Sequence, residues 1–210
     1  MRVLIIGASK GIGLETTRRA LDAGHDVRAF ARSAAGIRIS SPKLEKVRGD
    51  ALKPADVEAS VKGIDVVIQT LGVGLTDLFR PVHLFSGATR VLIAAMRAQS
   101  VKRLICVTGF GAGDSRASIS LLQRAPFRIV FGRAYDDKSL QERLIKDSGL
   151  DWTIARPGVL TDGALTGRYK VLAEPSQWRN GIISRADVAD FLVRQIVDGN
   201  CIHKAPVLVN

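Results

Sequence analysis

Three glycines stand at positions 7, 11 and 13, in the run Gly7-Ala8-Ser9-Lys10-Gly11-Ile12-Gly13, directly after the aliphatic stretch Val3-Leu4-Ile5-Ile6. Their spacing suits the holding of a phosphate. Gly7 permits a tight turn off a strand, and Gly11 lets backbone approach a pyrophosphate with no Cβ in the way. Gly13 lets the following helix pack closely on a sheet. The start of that helix offers unpaired N–H groups and the positive end of a dipole to an anion. A glycine triplet alone is weak evidence, but placed between a strand and a helix it predicts dinucleotide binding by residues 7–13.

The residues at the end of the second strand select the dinucleotide. An NAD site carries an acid there, about 20 residues after the glycines, to hold the ribose 2′-OH. This chain reads Phe30-Ala31-Arg32-Ser33, and its nearest acid, Asp26, lies at the other end of the strand. Arg32 can fork onto a 2′-phosphate, Ser33 can add a hydrogen bond, and Lys10 is a second cation in reach of the same anion. NADP(H) is therefore expected over NAD(H). Asp50 and Ala51 follow Gly49 at the end of the third strand. The Asp50 carboxylate can accept from an adenine amino group, or it can cap the helix that starts near Pro54. Leu71-Gly72 closes the fourth strand, where backbone must pass close to a ribose.

Short apolar runs that read as strands alternate with amphipathic segments that read as helices. Strands are expected over residues 3–6, 27–31, 44–47, 65–71, 104–107, 152–155 and 206–209. Helices are expected over 11–23, 54–61, 82–98, 135–147 and 185–197. This alternation predicts a Rossmann-like, doubly wound parallel sheet with helices on both faces, one domain over 1–210, and a small substrate-side region built from loops. Residues 109–133 are the least periodic stretch and read as a lid or an unremarkable connection.

Composition narrows the class. The chain has 210 residues, 46% hydrophobic and 24% charged, as a folded domain should. The net charge of +11 permits an anionic partner, but the basic residues are scattered and aromatics are only 5%, which argues against nucleic acid. Cys106 and Cys201 cannot form a disulfide framework, and His25, His83 and His203 show no metal-ligand spacing. No stretch approaches the ~18 apolar residues of a membrane span, and the chain enters its first strand at once, so no membrane association and a cytoplasmic location are expected. Trp178, in an irregular stretch, is a candidate for lining a substrate pocket, and Asp136-Asp137 reads as acids in a first helical turn.

Taken together, the sequence resembles the short-chain dehydrogenase/reductase superfamily. It is most similar to the atypical NAD(P)H-binding branch that includes biliverdin reductase B (flavin reductase) and the NmrA-like regulators. The residues that carry the resemblance span nearly the whole chain: Gly7 to Gly13, Gly49-Asp50, Gly63 to Val67, Lys138 with Glu142, residues 148–154, Arg156-Pro157-Gly158, Leu165 to Tyr169, and Ser184-Arg185-Ala186-Asp187-Val188-Ala189. The resemblance implies a catalytic Tyr, three residues, then Lys, with a Ser or Thr at the end of the fifth strand. Lys138 matches the lysine and Thr108 the hydroxyl. The tyrosine position falls on Ala134, and Tyr135 is one step off, about 100° around the helix. Pro157 and Gly158 would shape the nicotinamide side, and Thr108 could offer its hydroxyl to the substrate.

Hydride transfer without a strong built-in acid follows from that pattern. It suits a flavin, quinone or similar small acceptor, whose proton can come from solvent. Two other functions fit parts of the pattern. One is an NADP(H)-binding redox sensor without turnover. The other is a sugar-nucleotide epimerase or dehydratase, which the chain length disfavours. A monomer or homodimer is expected.

Overall fold

A computed structural model describes residues 1–72, 83–118 and 121–210, with the side chains of 121–131 excepted. Strand β1 (Arg2–Ile6) feeds the glycine run, which opens helix α1 (Gly11–Asp22). The chain continues through β2 (Asp26–Ala31), β3 (Leu44–Arg48), α2 (Pro54–Val61), β4 (Val66–Gln69), α3 (Leu84–Ala98), β5 (Arg103–Val107), α4 (Leu121–Lys146) and β6 (Asp151–Pro157). It then passes through β7 (Val159–Thr161), β8 (Lys170–Leu172), β9 (Ile182–Ser184), α5 (Arg185–Arg194) and β10 (Val207–Val209).

Eight strands form one sheet in the order β3-β2-β1-β4-β5-β6-β10-β8. All of its neighbours pair in parallel except β8, which runs antiparallel to β10. This is a Rossmann-like α/β fold. The order reverses between β1 and β4, and such a switch point leaves a crevice beyond the carboxyl ends of the strands. β7 and β9 form a separate parallel pair, with Thr161 opposite Ser184.

Alternate strand residues serve two cores. Val3, Ile5, Ile68 and Ile105 face α1 and α5, where they meet Ala20, Val188, Phe191 and Leu192. Leu4, Ile6, Val67, Leu104 and Ile154 face the opposite way, toward Val57, Leu92, Met96 and Ile145 of α2, α3 and α4. Because both faces are covered, the central strands β1, β4 and β5 are buried and mostly apolar along their length instead of alternating, whereas the edge strand β3 carries Glu45, Lys46 and Arg48.

The structure corrects several expectations. Helix α4 begins at Leu121, not at Tyr135, so the second half of the supposed irregular stretch 109–133 is helix. Pro126 and Gly132, both poor helix formers, interrupt the pattern that would mark it in the sequence. Residues 113–118 form a 3-10 turn, and 119–120 lie outside the described residues. Position 82, the expected start of α3, also lies outside them. Helix α5 ends at Arg194, three residues early, and the short strands β7, β8 and β9 went unseen.

Asp136 and Asp137 are therefore mid-helix, not in a first turn. Asp137 is buried and accepts hydrogen bonds from the backbone N–H groups of Phe85 (2.8 Å) and Ser86 (3.3 Å), and from the Ser86 hydroxyl. It thereby satisfies the N-terminus of α3, whose own N-cap residue His83 makes no side-chain cap bond. Asp137→Ala would strand three buried donors and is expected to destabilise the protein by about 1–3 kcal/mol, read by urea denaturation. An unchanged midpoint would show that water replaces the carboxylate.

Candidate functional site

A cleft of about 770 Å³ opens at the switch point, within the range of small-molecule sites. The glycine run forms one wall. Gly7 has φ +90° and Gly11 φ +56°, both in the left-handed region where a side chain is strained. A Cβ on Gly13 would stand 2.1 Å from the carbonyl oxygen of Gly7, so α1 approaches the turn as closely as only glycine allows. Gly7, Ser9, Lys10, Gly11 and Ile12 line the cleft. Ala8 and Gly13 do not: Ala8 is buried in the core beneath the loop, and Gly13 packs against it from behind.

Arg32 and Ser33, at the tip of β2, line the cleft beside Lys10. The Ser33 hydroxyl donates to Ser9 Oγ at 3.0 Å, which ties the tip of β2 to the glycine loop. Phe30, Gly49, Asp50 and Ala51 continue the wall. A Cβ at Gly49 would meet the Phe30 ring at 2.4 Å. Asp50 does not cap α2. Lys53 holds the N-cap position, and the Asp50 carboxylate accepts from the Leu52 N–H at 3.0 Å in a local turn. Thr70, Leu71 and Gly72 follow β4 into the site, and Leu84 and Phe85 enter from the start of α3.

The far end is lined by Val107, Thr108, Ala134, Tyr135, Lys138, Pro157, Leu160 and Arg185. Lys138 Nζ donates to the Thr108 carbonyl at 2.6 Å and lies 5.1 Å from the Phe85 ring centre and 5.2 Å from that of Tyr135. Burial pushes the Lys138 ammonium down to about 8, against the partial opposition of Cys106 and Glu142. Tyr135 reaches the cleft in spite of its off-step position. A Cβ on Gly109 would stand 2.7 Å from its hydroxyl oxygen, so the absence of a side chain at 109 makes the room that Tyr135 takes. Burial pushes the Tyr135 hydroxyl up to about 12.

Thr108 lines the cleft, and its hydroxyl donates to Glu142 Oε1 at 2.7 Å. Glu142 in turn receives Arg156 through Nε (3.0 Å) and Nη2 (2.5 Å), with Arg156 0% and Glu142 1% exposed. Asp114 also pairs with Arg156. Burial alone would raise the Asp114 carboxyl, but the Arg156 charge holds it below the usual carboxylate range.

Trp178 lines no part of this cleft. Its ring lies 4.8 Å from the Arg156 guanidinium and its Nε1–H donates to the Leu172 carbonyl, so it covers the buried pair. Gly158 also stays out of the cleft. A Cβ there would come within 2.2 Å of the Gly181 carbonyl oxygen, so this glycine serves the close approach of two chains.

Asp187 accounts for two of the motifs in structural terms. It accepts from the N–H groups of Thr166 and Gly167, both at 2.9 Å, and from the hydroxyls of Thr166 and Ser184. That pins the loop after β7 to the start of α5. Sequence reasoning missed the cleft residues Phe85, Leu160 and Arg185, and the Glu142–Arg156 pair. An arginine inside the run Trp152-Thr153-Ile154-Ala155-Arg156-Pro157 was a signal of the pair, because an interior strand holds a charge only with a partner. Among the described residues no cluster of His, Cys, Asp and Glu could hold a metal, and no helix is long and apolar enough to cross a membrane.

A glycine cradle with two left-handed glycines at the switch point, flanked by cations, fits a dinucleotide phosphate. The fold and the site together define a Rossmann-type nucleotide-binding protein. The chain belongs to the NAD(P)H-binding family, which it matches over residues 7–199. It is similar to ChuY of Escherichia coli O157:H7, an anaerobilin reductase, at 28% identity and TM-score 0.82 over 100% of this chain and 97% of that one. It is 28% identical to an uncharacterized sugar epimerase, YhfK, of Bacillus subtilis, over 98% of this chain and 92% of that protein. It is 27% identical to the photosystem II assembly factor Ycf39 of Cyanophora paradoxa, over 94% of this chain but 60% of that protein.

Proposed function

We propose that the protein is an NADPH-dependent reductase that passes hydride to a flavin, quinone or similar small conjugated acceptor. One observation carries the reading: a single cleft runs from the glycine loop to Thr108, Tyr135 and Lys138. The bound coenzyme supplies the hydride. Arg32, Lys10 and Ser33 hold the 2′-phosphate, and the Asp50 carboxylate faces the adenine. Lys138, held by the Thr108 carbonyl, binds the nicotinamide ribose, and Pro157 shapes the nicotinamide side. Phe85, Leu84 and Leu160 keep water from the reacting face. Tyr135 stays protonated at neutral pH and donates a hydrogen bond to the acceptor.

A conjugated acceptor needs no strong acid from the protein, which matches this set of groups. The likeness to ChuY supports extending the acceptor class to a bilin. The test follows NADPH oxidation at 340 nm with FMN, riboflavin, a simple quinone and a bilin offered in turn. Turnover with one of them is expected. Tight NADPH binding with no turnover on all four would replace this reading with a redox sensor, which the presence of Ala134 at the tyrosine position and the kinship with an assembly factor favour.

The coenzyme preference has its own measurement. Arg32→Ala removes a forked cation from a dianionic phosphate and is expected to weaken NADPH by about 10–100-fold while changing NADH less than threefold. Equal losses for both coenzymes would show that the 2′-phosphate is read elsewhere.

A further inference from the structure

Arg185 is the first residue of α5, yet it lines the cleft across from the glycine loop. Its Nε lies 3.9 Å from where a Cβ on Gly11 would stand. Of the described cations lining the cleft, Lys10 and Arg32 flank the tip of β2, and Lys138 is turned into the Thr108 carbonyl. Arg185 is the remaining one, and it sits beside the start of α1, where unpaired helix N–H groups already favour phosphate.

Its present partner is Asp162, with Arg185 Nη1 to Asp162 Oδ1 at 2.6 Å. The two are brought together by register. Thr161 lies opposite Ser184 in the parallel β7–β9 pair, and Asp162 and Arg185 are the next residues along. Asp187, two residues further on, pins Thr166 and Gly167 and so fixes the ground on which both stand. The Asp162 side chain is nevertheless 91% exposed and that of Arg185 31%. Such a pair is worth little in water and gives way to a better anion. A pyrophosphate next to a helix N-terminus is a better anion.

We infer that Arg185 is a pyrophosphate clamp: it leaves Asp162, a placeholder carboxylate, and closes over the dinucleotide pyrophosphate from the α5 side. The assignment rests on nucleotide binding alone and is independent of the acceptor. It makes Arg185 a determinant of affinity shared by NADPH and NADH, whereas Arg32 determines the choice between them.

The test is direct titration of NADPH, NADH and 2′-AMP, which has no pyrophosphate, into the full chain and its variants. Arg185→Gln is expected to weaken NADPH and NADH equally, by about tenfold, the size of one charge-assisted hydrogen bond, and to leave 2′-AMP unchanged. Arg185→Lys should retain most of the affinity. Asp162→Asn removes the competitor and should tighten both coenzymes by up to about fivefold. An unchanged affinity for both coenzymes in Arg185→Gln overturns the clamp. So does a loss confined to NADPH and 2′-AMP, which would make Arg185 a reader of the 2′-phosphate. A loss that includes 2′-AMP together with a lowered thermal midpoint would show a structural role instead. Weakening in Asp162→Asn would show a fixed brace and overturn the exchange.

Discussion

Glu142→Gln is expected to lose about 3–5 kcal/mol of folding stability, because it leaves the Arg156 charge buried with its best partner gone. Arg156 is fully buried, and after the substitution its charge would be matched only by Asp114, whose side chain is 55% exposed. The cost comes from stranding a charge, not from the intrinsic worth of the pair, since taking two ions out of water offsets most of their attraction. The double variant Glu142→Leu with Arg156→Met should therefore recover most of the loss. Urea denaturation of Glu142→Leu, Arg156→Met and the double closes the cycle. A double variant no more stable than the weaker single would mean that the pair is itself strongly favourable. The same variants report on the cleft, because Glu142 accepts from the Thr108 hydroxyl and the Thr108 carbonyl holds Lys138. Coenzyme affinity should fall in both.

Lys138→Ala is expected to lower kcat/KM for the best acceptor by about 100-fold, with NADPH and NADH affected alike, if the ammonium holds the ribose as proposed. Its lowered pKa, about 8, adds a pH signature. Below that value the group is charged, and a polyanionic dinucleotide binds the charged form better. The dissociation constant for NADPH should then be flat below pH 8 and rise above it. In Lys138→Met the rise should vanish. A wild-type profile that stays flat from pH 7 to 9.5 would remove Lys138 from the binding of the coenzyme.

The α/β fold was legible because buried parallel strands are apolar throughout and the helices between them are amphipathic. The strand-turn-helix context of Gly7 to Gly13 marked the loop that the cleft is built around. Arg32, Ser33, Asp50 and Leu71 could be placed because they follow strand ends, and strand ends in this fold face one crevice. What stayed hidden depends on contacts distant in sequence. Helix α4 carries Pro126 and Gly132 in its first half, so local propensity does not mark where it starts. Asp137 looked like a first-turn acid, and only the arrival of α3, some 50 residues earlier in the chain, reveals it as a cap. Tyr135 was judged by rotation about a helix axis alone, and the room left by Gly109 was not countable from sequence. Arg185 sits in a motif whose most evident role, through Asp187, is structural, and its reach across to Gly11 emerges only when β7 pairs with β9.

The place of β10 bears on how the chain is made. Strand β10 lies between β6 and β8, so β8 has no sheet partner until residues 207–209 arrive. On a ribosome the growing sheet would present β6 as an open edge through the synthesis of some 50 further residues, and an unpaired edge is a template for association with other chains. Completion of the sheet thus waits for β10. Loss of residues 207–209 would expose β6, leave β8 without its sheet partner, and favour association with other chains.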